Sequence, residues 1–241
     1  EEAGRLLSRK NLSGSVTKIE QYAACPYSYF LQFGLDLEER KEHELDAKDV
    51  GNLYHDVLKR YSDTLKSDPH YKDYDFSNVT NEISDEILSR CIDQSFSEMQ
   101  KQEFLEDARS SYTLNGMKDT LQRSVDLLRS QIRRGSFLPD AFEVSLSEIA
   151  SAKDLSFELS NGDVMRFTGR IDRIDIMNAD GRVYVKIIDY KSGTKKLSAP
   201  EVYAGLQVQL LVYMDAALAG EAENYGEEAV PAAAYLYHVL D

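Results

Sequence analysis

The sequence predicts a protein of the α/β class, with an α+β arrangement in which helices come first and a mixed central sheet flanked by helices follows. The first observation is the apolar spacing of three and four residues between positions 47 and 134, which is typical of amphipathic helices. The second is the change to a period of two after Gly135, which is typical of strands. We therefore expect an N-terminal helical part, residues 1–135, and a sheet core, residues 136–241, folded as one integrated domain.

The N-terminal part is predicted to begin with two short helices between residues 15 and 35. Ser15 suits the N-cap of the first helix, and Pro26 suits the first turn of the second. This segment holds more aromatic rings than one helix face needs, so we expect most of them to form a buried cluster. The rings are those of Tyr22, Tyr27, Tyr29, Phe30 and Phe33.

Three longer helices are predicted next, at 47–67, 78–100 and 105–134, with Asp68-Pro69-His70 breaking the first from the second. Beyond Gly135 the candidate strands are 141–148, 155–159, 164–177 and 182–190. The turn dipeptides Asn161-Gly162 and Asp180-Gly181 are typical of tight hairpins. A crossover helix at about 200–219 and a last strand at 232–239 complete the predicted order.

Charge and composition exclude several classes of protein. A net charge of −14 argues against a general polyanion binder. The stretch from Arg182 to Lys196 nevertheless contains five basic residues and one acid. This basic stretch either holds a nucleic acid strand or forms solvated surface. No apolar run approaches the roughly 20 residues of a membrane span, and the acidic start does not suit a signal peptide, so a cytosolic location is expected. The start at Glu1, without an initiator methionine, suggests a piece of a longer protein.

The residues with the clearest chemistry lie at the end of the 182–190 strand. Alternation places Asp189 and Lys191 on one face, and the Asp180-Gly181 turn brings Asp172 on the preceding strand within reach of Asp189. Two adjacent carboxylates favour a hard dication such as Mg²⁺, and Lys191 would then orient water or offset charge. Asp-x-Lys spacing alone is weak, since Asp46-Ala47-Lys48 shares it.

An alternative explanation for Asp172 and Asp189 is a structural ion-pair network with Arg170, Arg173 and Lys191. Two further residues are candidates for the same site. Glu143 on the first strand offers a third acid, and His55 on the helix after Gly51 offers a neutral imidazole ligand, although the pattern around His55 alone favours a structural helix histidine.

These residues together resemble the RecB-type nucleases of the PD-(D/E)XK superfamily, whose core has the restriction-endonuclease fold. The elements occur in the family's order: Gly51-Asn52-Leu53-Tyr54-His55, Glu143, Gly169-Arg170-Ile171-Asp172, Asp189-Tyr190-Lys191 and Gln209-Leu210-Leu211-Val212-Tyr213. The segment from Ser15 to Tyr27, which contains Cys25-Pro26, is similar to the nuclease region of AddB-type subunits of AddAB helicase-nucleases.

The resemblance implies a Mg²⁺-dependent deoxyribonuclease, with Mn²⁺ as a substitute. It implies that His55, Asp172, Asp189 and the Tyr190 carbonyl bind the metal, and that Glu143 and Lys191 assist Asp172 and Asp189 in catalysis. Gln209 and Tyr213 are implied to position DNA or the active site, with Gln207 as a rival to Gln209.

The resemblance also implies partners: an AddA-type helicase-nuclease subunit, and DNA single strands unwound during double-strand-break processing. Cys25 matches the first of four ligands to a [4Fe-4S] cluster, but the chain has only one other cysteine, Cys91, on a helix where core packing is expected. No cluster is therefore expected in this chain, and no phosphate-binding loop for ATP is present in the sequence. Two alternatives remain: a non-catalytic module that braces a DNA channel or partner, and a free-standing CRISPR-type exonuclease.

Overall fold

The computed structural model describes residues 12–37, 47–103, 108–149, 156–158, 164–191, 193 and 196–238. It falls into two compact units. The sheet unit comprises residues 1–40, 144–189 and 196–235, and the helical unit comprises residues 41–143, 190–195 and 236–241. The division differs from the predicted boundary at residue 135, because the N-terminal segment groups with the sheet and not with the long helices.

The sheet unit begins with strand β1 (Leu12–Ser15) and helix α1 (Val16–Ala24). Ser15 caps α1 by accepting a hydrogen bond from the Lys18 N–H at 3.3 Å, as predicted. Helix α2 (Pro26–Tyr29) and a π-helical turn (Phe30–Gly34) follow, so the predicted pair of short helices is confirmed.

The predicted burial of the aromatic rings in this segment is wrong. Tyr22 is 56% exposed, Tyr27 70%, and Phe30 and Phe33 are also exposed. Three of the rings contact one another: Tyr22 and Tyr29 meet edge to face with ring centroids 5.4 Å apart, and Tyr29 and Phe33 lie 5.1 Å apart. Short helices cannot bury every face, and the excess of rings over one helix face remains at the surface.

Two sheets follow. Strands β3 (Ser156–Glu158) and β4 (Val164–Thr168) form a three-stranded sheet with β1, in which β1 lies parallel and β3 antiparallel to β4. A mixed four-stranded sheet has the order β2 (Leu138–Ser145), β5 (Arg170–Ala179), β6 (Arg182–Lys191) and β7 (Glu228–His238). The Asp180–Gly181 turn joins β5 to β6, and both residues have the positive φ angles (53° and 70°) that this turn needs. The Asn161-Gly162 turn lies outside the described residues.

Two predicted elements are each divided in the structure. The strand predicted at 164–177 is β4 and β5, which separate at Gly169 and enter different sheets. The helix predicted at 200–219 is α6 (Ala199–Tyr203) and α7 (Gln209–Tyr225), with Gly205 at φ 76° in the loop between them. In both cases a glycine permits a backbone path that a residue with a Cβ would resist.

The helical unit contains three long helices: α3 (Ala47–Ser67), α4 (Asn81–Glu103) and α5 (Ala108–Arg134). All three predicted long helices are therefore confirmed. Their core includes Tyr54, Tyr61 and Leu121, each fully buried, and the Tyr61 hydroxyl lies 2.8 Å from the Ser84 hydroxyl. Cys91 is 1% exposed on α4, where burial raises the pKa of its thiol, which confirms its expected packing role. Within the described residues, no helix combines the length and apolarity that a membrane crossing requires.

Candidate active site

Two acidic side chains lie on the two central strands of the four-stranded sheet, Asp172 near the start of β5 and Asp189 near the end of β6. The antiparallel register pairs Arg173 with Ile188 and Ile174 with Ile187, and continuing it by one residue sets Asp172 opposite Asp189. Opposed residues on neighbouring strands share a face, with Cβ atoms about 5 Å apart. Asp172 is 8% exposed and Asp189 2%, so the sheet unit brings two nearly buried carboxylates together.

The opposite face of the same strands carries a separate charge cluster. Arg173 donates through Nη2 to the Asp175 carboxylate at 2.6 Å, and Lys186 Nζ lies 2.6 Å from the same carboxylate. Asp175 is fully buried. Because neighbouring residues of a strand point to opposite faces, this network belongs to Asp175 and lies on the face opposite Asp172.

Helix α7 places Tyr213 beside the two carboxylates. Its phenol oxygen accepts a hydrogen bond from the Arg170 N–H at 3.4 Å and another from the Gln209 side chain. Burial raises the pKa of the phenol, and the charges of Asp189 and Asp172 raise it further, against the opposing effect of the two hydrogen bonds. Tyr213 is therefore a neutral hydrogen-bonding group at neutral pH.

Gly169 lies against this phenol. A Cβ at position 169 would lie 2.8 Å from the Tyr213 hydroxyl oxygen, whereas a Cβ at Gly116 in α5 would meet nothing within 4 Å. Gly169→Ala is therefore expected to lower the free energy of unfolding by about 1–3 kcal/mol through overpacking, while Gly116→Ala leaves it equal or higher. Urea unfolding of both variants measures the difference, and equal stabilities would contradict the contact.

The structure distinguishes the two glutamines named as rivals. Gln207 is buried in the loop before α7, where its amide donates to the Lys196 carbonyl at 3.0 Å and accepts from the Ser198 N–H at 2.8 Å. Gln209 is the first residue of α7 and bonds Tyr213. Gln207 therefore bonds residues of the loop, whereas Gln209 bonds the Tyr213 phenol.

In the helical unit, His55 and Glu143 form a direct pair. His55 Nδ1 lies 2.8 Å from the Glu143 carboxylate, and both side chains are partly buried. The His55 ring meets the Tyr190 ring edge to face with centroids 5.7 Å apart, and Tyr190 meets Tyr237 in the same way at 5.6 Å. Three predicted site residues from α3, β2 and β6 thus lie together in this unit.

The backbone at Glu143 is strained. Its φ angle of 52° lies in the left-handed region, which costs a non-glycine residue about 1–2 kcal/mol. Such outliers persist where the surroundings fix them, and they concentrate at functional sites. Strand pattern alone gives no sign of this conformation.

The strain at Glu143 leads to a stability prediction. Glu143→Gly and Glu143→Ala both lose the carboxylate that contacts His55, but only glycine relieves the positive φ angle. We expect the glycine variant to unfold with a free energy about 0.5–1 kcal/mol higher than the alanine variant. Chemical denaturation measures the free energy of unfolding of the two variants. An alanine variant as stable as the glycine variant, or more stable, would argue against backbone strain at Glu143.

Lys191, Cys25 and Glu20 lie on three different elements. Lys191 ends β6 on the face shared with Asp189, as alternation predicts, and is partly exposed. Cys25 is exposed, and its sulfur caps α2 by accepting from the Ser28 N–H at 3.5 Å. Sequence reasoning gave no role to Glu20, whose carboxylate accepts the Gln209 N–H at 2.9 Å, because no local pattern relates residues 189 positions apart.

Comparison with known proteins identifies the family of the chain. The family model described as the PD-(D/E)XK nuclease superfamily matches residues 13–241. Proteins named as the B subunit of an ATP-dependent helicase/deoxyribonuclease are similar along the whole chain: 34% identical over 241 residues in Alkaliphilus oremlandii and 36% over 242 residues in Clostridium acetobutylicum. A relative of the same name in Clostridium botulinum is 35% identical over 98% of the chain.

The chain spans only about a fifth of these relatives, covering 21%, 20% and 20% of their lengths. The resemblance to B subunits of this kind is nevertheless confirmed along the whole chain. With a family match that includes every candidate site residue, the chain belongs to the PD-(D/E)XK nuclease superfamily.

Proposed function

We propose that this chain is a Mg²⁺-dependent DNA nuclease domain that hydrolyses phosphodiester bonds within a longer helicase-nuclease protein. The observation that carries the proposal is the opposition of two nearly buried carboxylates, Asp172 and Asp189, in a member of a nuclease superfamily. Opposed like charges destabilise a sheet unless they have a counterion. Members of this superfamily are generally dependent on divalent metals.

The donor set fits a hard dication. Carboxylate oxygens and a backbone carbonyl are the ligands that such an ion prefers, and we assign the metal to Asp172, Asp189 and the Tyr190 carbonyl, with His55 as an additional nitrogen ligand. Tyr190 follows Asp189 directly in the chain, so the carboxylate and the carbonyl are adjacent by covalent structure. When bound, the ion supplies charge stabilisation at the scissile phosphate and makes bound water more acidic.

The remaining residues have distinct proposed roles. Glu143 holds His55 through their 2.8 Å contact and supplies a further carboxylate to the site. Lys191, on the face of Asp189, offsets the negative charge of the phosphate and orients the attacking water. Gln209 and Tyr213 act as neutral hydrogen-bonding groups that position the substrate beside the two carboxylates.

The longer protein is proposed to act with partners that the relatives' name suggests. The relatives are named as a B subunit of a helicase/deoxyribonuclease, which supports a partner subunit and DNA as substrate. We propose that the partner is an AddA-type subunit, that the substrate is unwound DNA single strands, that the setting is double-strand-break processing and that the location is the cytoplasm. A [4Fe-4S] cluster needs four ligands, and this chain does not fit one, since its two cysteines are the exposed Cys25 and the buried Cys91. In the longer protein we propose Cys25 as one ligand, with the others from outside this chain.

The proposed function is tested by incubating end-labelled linear and single-stranded DNA with the chain and Mg²⁺, with and without EDTA. Lys191→Ala is expected to lower the cleavage rate by about 100-fold or more, and Lys72→Ala, which removes an exposed lysine of the helical unit, is expected to leave it unchanged. Cleavage that persists in EDTA, or that Lys191→Ala does not affect, would overturn the assignment. DNA binding without cleavage by the wild-type chain would instead favour the non-catalytic module.

A further inference from the structure

Helix α7 begins without a capping side chain of its own. Val208 occupies its N-cap position and makes no side-chain cap hydrogen bond, and the first turn contains no acidic residue. The first N–H groups of any helix have no partner within the helix and carry the positive end of its dipole. Here the acceptor comes from a different helix, because the Gln209 N–H donates to Glu20 Oε1 at 2.9 Å.

Glu20 is held by the packing of α1 in the sheet unit. Ser15 caps α1 at its start, and near its end Ala23 approaches the loop before α7, where a Cβ at Gly205 would lie 3.8 Å from the Ala23 Cβ. Helix α1 therefore meets both the loop that leads into α7 and the first residue of α7. The Glu20 carboxylate is a half-buried acceptor at that junction.

The first five residues of α7 include Gln209 and Tyr213, and the Tyr213 phenol accepts from the Arg170 N–H, two residues before Asp172 in the chain. Gln209 and Tyr213 are four residues apart, which places them on one face of the helix, and the Gln209 side chain bonds the Tyr213 phenol. We propose that Glu20 is a positioning residue of the proposed nuclease site: its carboxylate fixes the first turn of α7 and so holds Gln209 and Tyr213 beside the paired carboxylates. This inference rests on the proposed function.

Kinetics of the 241-residue chain test the proposal. Glu20→Ala is expected to lower kcat for Mg²⁺-dependent DNA cleavage about 10-fold and to change KM less than about 2-fold, because misplacement affects the reacting geometry more than DNA binding. Glu20→Gln retains an oxygen acceptor and is expected to keep at least about half of the wild-type kcat. Glu223→Ala, which removes an exposed acid near the end of α7, is the matched control and is expected to match wild type.

A double variant separates positioning from general stability. In a Gln209→Ala background, Glu20→Ala is expected to lower kcat by less than about 3-fold, because its effect passes through the residue already removed. A full 10-fold loss in that background would overturn the proposal. So would a wild-type kcat in Glu20→Ala, or equal losses in Glu20→Ala and Glu20→Gln.

A readout that needs no catalysis tests the cap itself. The Gln209 amide is expected to exchange its hydrogen roughly 5-fold faster in Glu20→Ala than in wild type, as for the loss of a helix cap, and at the wild-type rate in Glu223→Ala. Unchanged exchange in Glu20→Ala would overturn the proposal. A wild-type chain that cuts no DNA would refute the nuclease function. Faster exchange of the Gln209 amide in Glu20→Ala would still establish the cap in that case, so failure of the nuclease function and failure of the cap are distinguishable.

Discussion

Asp189→Asn is expected to lower the rate of Mg²⁺-dependent DNA cleavage by at least about 1000-fold while the chain stays folded. The substitution removes one of two opposed carboxylates but keeps the shape of the side chain, which is 2% exposed in β6. In the absence of metal it also removes a like-charge repulsion from the sheet. We therefore expect a free energy of unfolding in EDTA equal to wild type or up to about 1 kcal/mol higher.

Two measurements check this expectation: single-turnover cleavage of labelled DNA, and urea unfolding in EDTA followed by circular dichroism. Asp172→Asn serves as the companion variant, because the register places Asp172 opposite Asp189, and the same two results are expected for it. Cleavage within about 10-fold of wild type in either variant would show that the carboxylate pair is not the catalytic centre.

Asp175→Asn is expected to have the opposite profile, with a loss of about 3–5 kcal/mol of stability. Asp175 is fully buried and is the shared partner of Arg173 and Lys186, so its neutralisation removes the negative charge from a largely buried ion-pair cluster. A domain is typically stable by about 5–15 kcal/mol, so the loss would leave a marginal protein or an unfolded one.

The control for this prediction lies three positions away on the same strand. Asp172→Asn changes the same residue type in β5, on the other face, and is expected to keep its stability while losing activity. Thermal and urea unfolding of the two variants, measured side by side, give the comparison. An Asp175→Asn variant destabilised by less than about 1 kcal/mol would mean that the Arg173 and Lys186 contacts contribute little.

Local sequence signals predicted the parts of the site that depend on local geometry. The Asp180-Gly181 turn and the alternation of β6 were enough to place Asp172 near Asp189, because a two-residue hairpin fixes the register of both strands. The long helices followed from apolar periodicity, and α3 ends at the predicted residue, Ser67.

Features that depend on distant residues were not predictable in the same way. The period-two pattern runs through Gly169, and only the approach of Tyr213 from α7 explains why the strand divides there. The resemblance left Gln207 as a rival to Gln209, whereas their hydrogen-bond partners differ: Gln207 bonds loop residues and Gln209 bonds Tyr213. The contact of Glu20 with Gln209 joins residues 189 positions apart, beyond the reach of any periodicity.

The exposed aromatic segment shows a different limit. Ring content predicted a core, because aromatic side chains usually bury most of their area. In the structure Tyr22 and Tyr27 are more than half exposed, and the exposed thiol of Cys25 lies between them in the chain. Composition gives the amount of apolar surface in a segment, but the packing of other segments of the same protein determines how much of that surface is buried.

We propose that Asp172 and Asp189 act with His55 and Glu143 on one divalent ion, and calorimetric titration with Mn²⁺ in the absence of DNA measures this binding directly. We expect one high-affinity ion per wild-type chain, loss of that binding in Asp172→Asn and Asp189→Asn, and about 10- to 100-fold weaker binding in His55→Ala and Glu143→Gln. Wild-type affinity in His55→Ala and Glu143→Gln, or unchanged binding in the two aspartate variants, would contradict it.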